Sequence, residues 1–248
     1  DKASWLDVQV AAKVGENFGS IVGPDFQRSA KGDILIDPQT GLPQYDKSNH
    51  VLGNASWDWT GGLLTNFTYK NISLVAVFDV KVGADLYSMS ARAAHESGKS
   101  PETLAGRDAW YRSEEERLAA GIAKGADNWK PTGGFVAPGV IDNGDGTYRP
   151  NDIYINPEDY WMSVCRNAPS MFIYDNSYVK CRELTLSYNV PKSWLKNVIS
   201  GLTVSFVARN PFIVWKNIPN IDPDSNYNNT TGMGLEYGSL PSRRSYGF

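Results

Sequence analysis

Trp57-Asp58-Trp59-Thr60-Gly61-Gly62-Leu63-Leu64-Thr65-Asn66-Phe67-Thr68-Tyr69, then Lys70-Asn71, then Ile72-Ser73-Leu74-Val75-Ala76-Val77-Phe78-Asp79-Val80-Lys81-Val82, decides the fold of this chain. Successive strand residues point to opposite faces, so alternation marks a half-buried strand. In the second run Ile72, Leu74, Ala76, Phe78, Val80 and Val82 share one face. Ser73, Asp79 and Lys81 share the other with Val75 and Val77. In the first run Trp57, Trp59, Gly61, Leu63, Phe67 and Tyr69 oppose Asp58, Thr60, Asn66 and Thr68, with Leu64 as the exception. Two residues between the runs predict a tight hairpin.

Working outward, the same period appears three more times. Leu6, Val8, Val10 and Ala12 form one face of Trp5 to Lys13. Leu184, Leu186, Tyr188 and Val190 alternate with Glu183, Thr185, Ser187 and Asn189 within Ser177 to Val190. Leu202, Val204, Phe206 and Ala208 oppose Thr203, Ser205 and Arg209. Ser242 to Phe248 reads as the beginning of a sixth strand. These runs approach the roughly 9–11 residues of a tilted membrane strand. The segments 70–71 and 191–201 are short, whereas 14–56, 86–170 and 211–241 are long. Short turns at one end and long loops at the other characterise an outer-membrane barrel. Trp57, Trp59, Tyr69, Tyr178, Tyr188, Trp194 and Trp215 near strand ends suit interfacial girdles. One loop carries a helix over residues 107–123, polar enough to sit outside any core.

Composition narrows the chemistry. The chain has 248 residues with a net charge of −3, which gives no electrostatic case for nucleic acid. Two Cys and two His are too few for a disulfide scaffold or a Cys/His zinc site. Mean hydropathy is −0.39, and no run approaches about 18 apolar residues, so no membrane helix is expected. Asp142-Asn143-Gly144-Asp145-Gly146 lacks the leading and bidentate ligands of a calcium loop and reads as a turn. Glu114, Glu115 and Glu116 point in different directions on a helix, which suits a solvated face better than an acid/base pair. No catalytic residue, metal or cofactor is therefore assigned.

Several short motifs then follow in order. They are Leu52-Gly53-Asn54, Trp59-Thr60-Gly61-Gly62-Leu63, Phe67-Thr68-Tyr69-Lys70-Asn71 and Gly83-Ala84-Asp85-Leu86-Tyr87-Ser88. Further on come Phe172-Ile173-Tyr174-Asp175, Tyr178-Val179-Lys180-Cys181-Arg182-Glu183-Leu184, Ala208-Arg209-Asn210 and Asn220-Ile221-Asp222-Pro223. The last are Gly234-Leu235-Glu236-Tyr237-Gly238-Ser239-Leu240-Pro241 and Arg244-Ser245-Tyr246-Gly247-Phe248. Together they resemble the C-terminal part of a SusC-like TonB-dependent outer-membrane transporter of Bacteroidota. The resemblance covers most of 50–90 and 170–248, weakens over 1–50 and is poor over 90–170.

The resemblance implies an all-β fold: the C-terminal segment of an antiparallel transmembrane barrel of about 22 strands, plugged inside. Residues 1–248 would form one barrel portion with long extracellular loops and a short loop helix. Signal peptide, TonB box, plug and most strands are expected elsewhere, and the last strand is expected to run past Phe248. The resemblance also implies a SusD-like surface lipoprotein as partner, TonB acting through the missing N-terminal region, and outer-membrane lipid around the wall. The substrate would be an oligosaccharide, a peptide or another large nutrient. Apolar strand faces are assigned to lipid, and Asp79, Lys81, Glu183 and Arg209 to the lumen. Loop aromatics Trp110, Tyr111, Trp129, Tyr160, Trp161, Tyr227 and Tyr237 are candidates for substrate or partner contact, because exposed aromatics stack on sugars or anchor interfaces. Two alternatives stay open: a secreted carbohydrate-binding β-sandwich, whose two sheets must cover each other's apolar faces, and a glycan-cleaving enzyme.

Overall fold

The computed structural model describes residues 4–5, 8–195, 199–225 and 232–248. Among these the chain is mostly strand. In chain order the strands begin with β1 (Ser4–Trp5), β2 (Val8–Ala11), β3 (Ser20–Phe26) and β4 (Tyr45–Asn54). Next come β5 (Trp59–Tyr69), β6 (Ile72–Val82) and β7 (Asp85–Ser88). Helices α1 (Met89–Glu96) and α2 (Arg107–Ala119) precede the short strands β8 (Phe135–Val136), β9 (Val140–Asp142), β10 (Tyr148–Pro150) and β11 (Tyr154–Ile155). After α3 (Pro157–Asn167) follow β12 (Ile173–Asp175), β13 (Tyr178–Val190), β14 (Leu202–Lys216), β15 (Leu235–Glu236) and β16 (Ser245–Gly247).

The wall is a five-stranded antiparallel sheet in the order β16-β14-β13-β6-β5. Among the described residues no strand pairs with either edge, β16 or β5. Its long strands have 11, 11, 13 and 15 residues, enough to cross a bilayer when tilted. The hairpin 70–71 closes with Tyr69 opposite Ile72 and Lys70 at φ 53°. The antiparallel order puts that turn and residues 191–201 at one end of the sheet. The segments 83–177 and 217–244 emerge at the other, called here the loop end.

Register places Phe67, Leu74, Leu186, Val204 and Phe206 on one face. That face is uncovered: Trp59, Leu63, Phe67, Leu186, Val204 and Phe206 are 40–65% exposed. At Gly61 an added Cβ would meet the Trp59 ring at 2.3 Å, so the glycine gives that indole room to fold down. Such a continuous exposed apolar face on a monomer marks a membrane or protein contact.

Three expectations change. Residues 5–13 do not lie in the wall among the described residues. β2 instead pairs with β3, in a second sheet of order β1-β2-β3-β4 that also takes up much of the expected loop 14–56. The expected strand ending at Asn210 continues to Lys216, because irregular register around Asn210 (φ 48°) and Pro211 accommodates a residue that has no N–H to donate. The helix expected over 107–123 ends at Ala119, with Gly121 in the left-handed region at φ 69°. Among the described residues no helix is long and apolar enough to cross a membrane.

Residues 83–177 form a folded layer whose apolar core is shared with β2, β3 and β15. One cluster gathers Phe26, Ile36, Ile141, Ile155, Tyr160, Trp161 and Val164; another gathers Val8, Ile21, Tyr87, Cys165, Phe172 and Leu235. α3 contributes to both clusters. Asn156 caps its first turn by accepting the Glu158 N–H, and Pro157 occupies the first helical position. The helix then buries Tyr160, Trp161, Val164 and Cys165 along one stripe.

Candidate functional site

The site builds up at the loop end of the wall, on its polar face. Asp79, Lys81, Glu183 and Arg209 all fall on this face, because Asp79 pairs with Lys180, Lys81 with Tyr178, and Glu183 with Arg209. Glu183 and Arg209 approach at 3.5 Å but remain largely solvated, so their pair contributes little. An irregularity between Cys181 and Glu183 inserts Arg182 as an extra residue. It reverses parity along β13, so the even-numbered Lys180 and Arg182 share the polar face with the odd-numbered Glu183. Cys181 is left on the apolar face opposite Phe78 and Phe212.

This bulge assembles a charge network that ties loop 217–244 to the wall. The Lys180 ammonium, only 2% exposed, donates to Asp222 at 3.2 Å, to Asp224 at 2.5 Å and to the Ser242 hydroxyl. Arg182 donates to Asp79 and Asp224, and the Tyr178 hydroxyl donates to Asp224 at 2.8 Å. Asp222 also accepts the Ser242 backbone N–H at 2.9 Å. Burial alone would raise the Asp224 carboxyl, but hydrogen bonds from Arg182, Lys180 and Tyr178 outweigh it and hold the group well below the usual carboxylate range. The Asn220–Pro223 motif is therefore a clamp.

A second clamp joins the same loop to the layer 83–177. β15 pairs in parallel with β7, and the buried Glu236 reaches the start of α1. Its carboxylate accepts the Ser88 hydroxyl at 2.8 Å, the Ser90 hydroxyl at 2.7 Å and the Ser90 N–H at 3.1 Å. The Ser239 N–H adds a fourth bond at 3.0 Å. Burial pushes this carboxyl up, yet these donors bring it below its ordinary value. An anion beside a helix N-terminus also complements the positive end of the helix dipole. Gly234 makes the approach feasible: at φ 79° an added Cβ would lie 2.3 Å from the Ala55 side chain.

The loop aromatics separate into distinct groups. Tyr160 and Trp161, 4% and 7% exposed, are removed from the accessible surface, because α3 turns them into the core against Phe135 and His95. Tyr111 is 64% exposed and Tyr237 44%. Trp110 and Trp129 are half-buried, and Trp110 lines a cavity of about 230 Å³ beside Trp161. Tyr227 lies outside the described residues. Glu114 pairs with Arg117 at 2.9 Å, and Glu116 accepts the Thr132 hydroxyl at 2.6 Å, so both carboxylates serve the loop's own structure. Asp142 to Gly146 lies in the turn between β9 and β10, where Asp142 accepts the Gly144 N–H and Asp145 accepts the Thr147 N–H. Among the described residues no group of acidic, His or Cys side chains is arranged to hold a metal ion.

The sequence alternation missed Lys180, Asp222, Asp224 and Glu236. One signal was available for the first of these. Adjacent charged residues Arg182-Glu183 cannot both face water on a regular half-buried strand, so they mark a slip in parity.

With this geometry in hand, the likenesses to known proteins take on meaning. TonB-dependent receptor P3 of Formosa agariphila is 32% identical over 224 residues, which is 87% of this chain and 18% of that relative. The chain thus spans about a fifth of the relative's length. The RagAB peptide importer in its closed-closed state has a TM-score of 0.51 at 17% identity, over 95% of this chain and 24% of that one. A second structure, of the RagAB peptide transporter, has a TM-score of 0.51 at 16% identity, over 97% and 24%. These two structural likenesses speak to the fold. No protein-family model matches the chain. Sequence identity along most of its length leads to one conclusion: the chain belongs to the TonB-dependent receptors.

Proposed function

We propose that the chain is the C-terminal part of the barrel of an energised outer-membrane importer. The single observation that carries this is the uncovered apolar face of the wall, combined with long connections at one end only. A lipid-facing strand alternates apolar outside and polar inside, and outer-membrane barrels place short turns in the periplasm and long loops outside. In this reading Leu74, Phe78, Leu186, Val204 and Phe206 contact lipid. Asp79, Lys81, Glu183 and Arg209 face the lumen of a barrel of about 22 strands. The open edges β5 and β16 pair with strands elsewhere in the receptor, since unpaired backbone is not tolerated in hydrocarbon. A β-sandwich would instead need a second sheet on the apolar face, and among the described residues none covers it.

The loop layer lies outside the cell and meets a SusD-like surface lipoprotein, with Tyr111, Tyr237 and the half-buried Trp110 and Trp129 as contact residues. TonB supplies force through regions that precede this chain. The nutrient is an oligosaccharide, a peptide or another large molecule; the peptide importer among the structural relatives supports the second class as much as the family resemblance supports the first. The test is deletion of residues 125–155 in the full-length receptor. Lipoprotein co-purification should fall while outer-membrane insertion persists. Undiminished co-purification with normal uptake would make this layer a cover and not an interface.

A further inference from the structure

A cavity of about 260 Å³ opens where β5, β6 and β13 reach the loop end, beneath the segment that carries Asp224. Trp57, Lys81, Asp85, Tyr178 and Asp224 line it. Trp57 and Tyr178 meet edge to face, with ring centroids 5.8 Å apart and planes at 87°. Lys81 Nζ sits 5.4 Å from the Trp57 ring centroid and 5.9 Å from that of Tyr178. The π-faces steady the ammonium and hold it in place. They do not neutralise it.

Neither carboxylate in the same cavity forms an ion pair with it. Asp224 is already engaged by Lys180, Arg182 and the Tyr178 hydroxyl. Asp85 accepts the Asn54 N–H at 2.9 Å through one oxygen. Burial pushes its carboxyl up, the Asn54 bond partly offsets this, and Asp175 and Asp58 add a smaller push in the same direction as burial. Lys81 enters no ion pair among the described residues. The cation is thus held between two rings, on the polar face of the wall, with no carboxylate in ion-pair contact among the described residues. Below the roughly 300 Å³ at which drug-sized pockets begin, the cavity suits one residue-sized unit and not a chain.

We propose that this cavity is a subsite that receives a carboxylate on one residue-sized unit of the imported molecule, with Lys81 as the charge partner and Trp57 as the apolar wall. An ammonium–carboxylate contact is roughly twice as strong as a neutral hydrogen bond, and a neutral analogue would leave the cation unpaired. The inference rests on the importer reading above but makes a separate claim, since an importer of neutral nutrients would have no use for this arrangement.

The test is titration calorimetry on the full-length receptor with two matched pairs: glucuronate against glucose, and N-acetylglutamate against N-acetylglutamine. In at least one pair the acid should bind tenfold or more tightly than its neutral twin, and that pair identifies the source of the carboxylate as sugar or amino acid. Lys81→Met should bring the acid to the level of its twin, and Lys81→Arg should retain most of the preference. Lys81→Gln serves as a second neutral variant should the first fail to insert. Equal binding of acid and neutral probes by the wild type, or a preference that survives both neutral variants, overturns the subsite. A receptor that still takes up its nutrient with the lipoprotein bound would in that case leave the importer reading standing.

Discussion

In the five-stranded wall the large apolar side chains point outward and stay exposed; in residues 83–177 they turn inward, onto one another and onto β2, β3 and β15. In the importer reading proposed above, the wall needs no core of its own on that face, because a bilayer takes the apolar surface. A layer with no bilayer against it must bury its apolar side chains within the protein. The difference teaches where side chains are free to act. Aromatics in the loop layer are spent first on packing, as Tyr160 and Trp161 are. The polar end of the wall keeps its charged residues for clamping the loops and for lining the Lys81 cavity.

The largest expected effect lies where the two regions join. Lys180→Met would remove the buried cation that Asp222 and Asp224 share and leave Asp224, among the described residues, with Arg182 alone as its cation. Removing one partner of a buried charge network costs about 3–5 kcal/mol. Loop 217–244 should then detach from the wall, and limited proteolysis of the full-length receptor should cut it at much lower protease concentration. Unchanged cleavage would mean that the clamp does not hold the loop.

A smaller effect separates the two faces of the wall. Phe206→Arg would place a charge on the apolar face and should cost about 2–4 kcal/mol in a bilayer if the site lies near the midplane. Ser205→Arg, one residue away on the polar face, loses only the 2.9 Å hydroxyl bond with Ser187, worth about 1 kcal/mol. Unfolding of the full-length receptor from liposomes with urea reads both. Equal costs on the two faces would remove the membrane assignment of this sheet.

The two regions also differ in how far their sequence could be read. Ile72–Val82 was legible in full, because a strand with one apolar face writes its own period. Tyr178–Val190 was legible only beyond Glu183, since the bulge at Arg182 breaks the alternation that the reading relied on. The loop layer was legible at α2 and silent at α1. At α3 the Asn156-Pro157 start and the acids Glu158 and Asp159 were a usable helix signature, masked by treating the whole segment as a loop. Lys180 with Asp222, and Ser88 with Glu236, are 42 and 148 residues apart. No local pattern foretells pairs of that separation; only the assembled sheet brings them together.

The smallest effect tests the second clamp and its response to acid. Glu236→Gln keeps the shape of the side chain but removes its charge beside the start of α1. A hydrogen bond to a charged acceptor contributes more than one to a neutral acceptor, so the local cost should be about 1 kcal/mol. The sign of the pH dependence follows from the same bonds. The carboxyl lies below its ordinary value in the folded state, raised by burial but lowered further by Ser90, Ser88 and Ser239. Its stabilisation is therefore complete above the unfolded value of about 4.3 and is lost as pH falls through the folded one. Hydrogen exchange of the α1 amides should accordingly rise as pH falls below about 4.3, relative to the wall strands and after correction for the intrinsic rate. In Glu236→Gln that extra rise should vanish, because the side chain no longer titrates. If the wild type and the variant respond alike to acid, α1 is held by packing against α3 and not by the carboxylate.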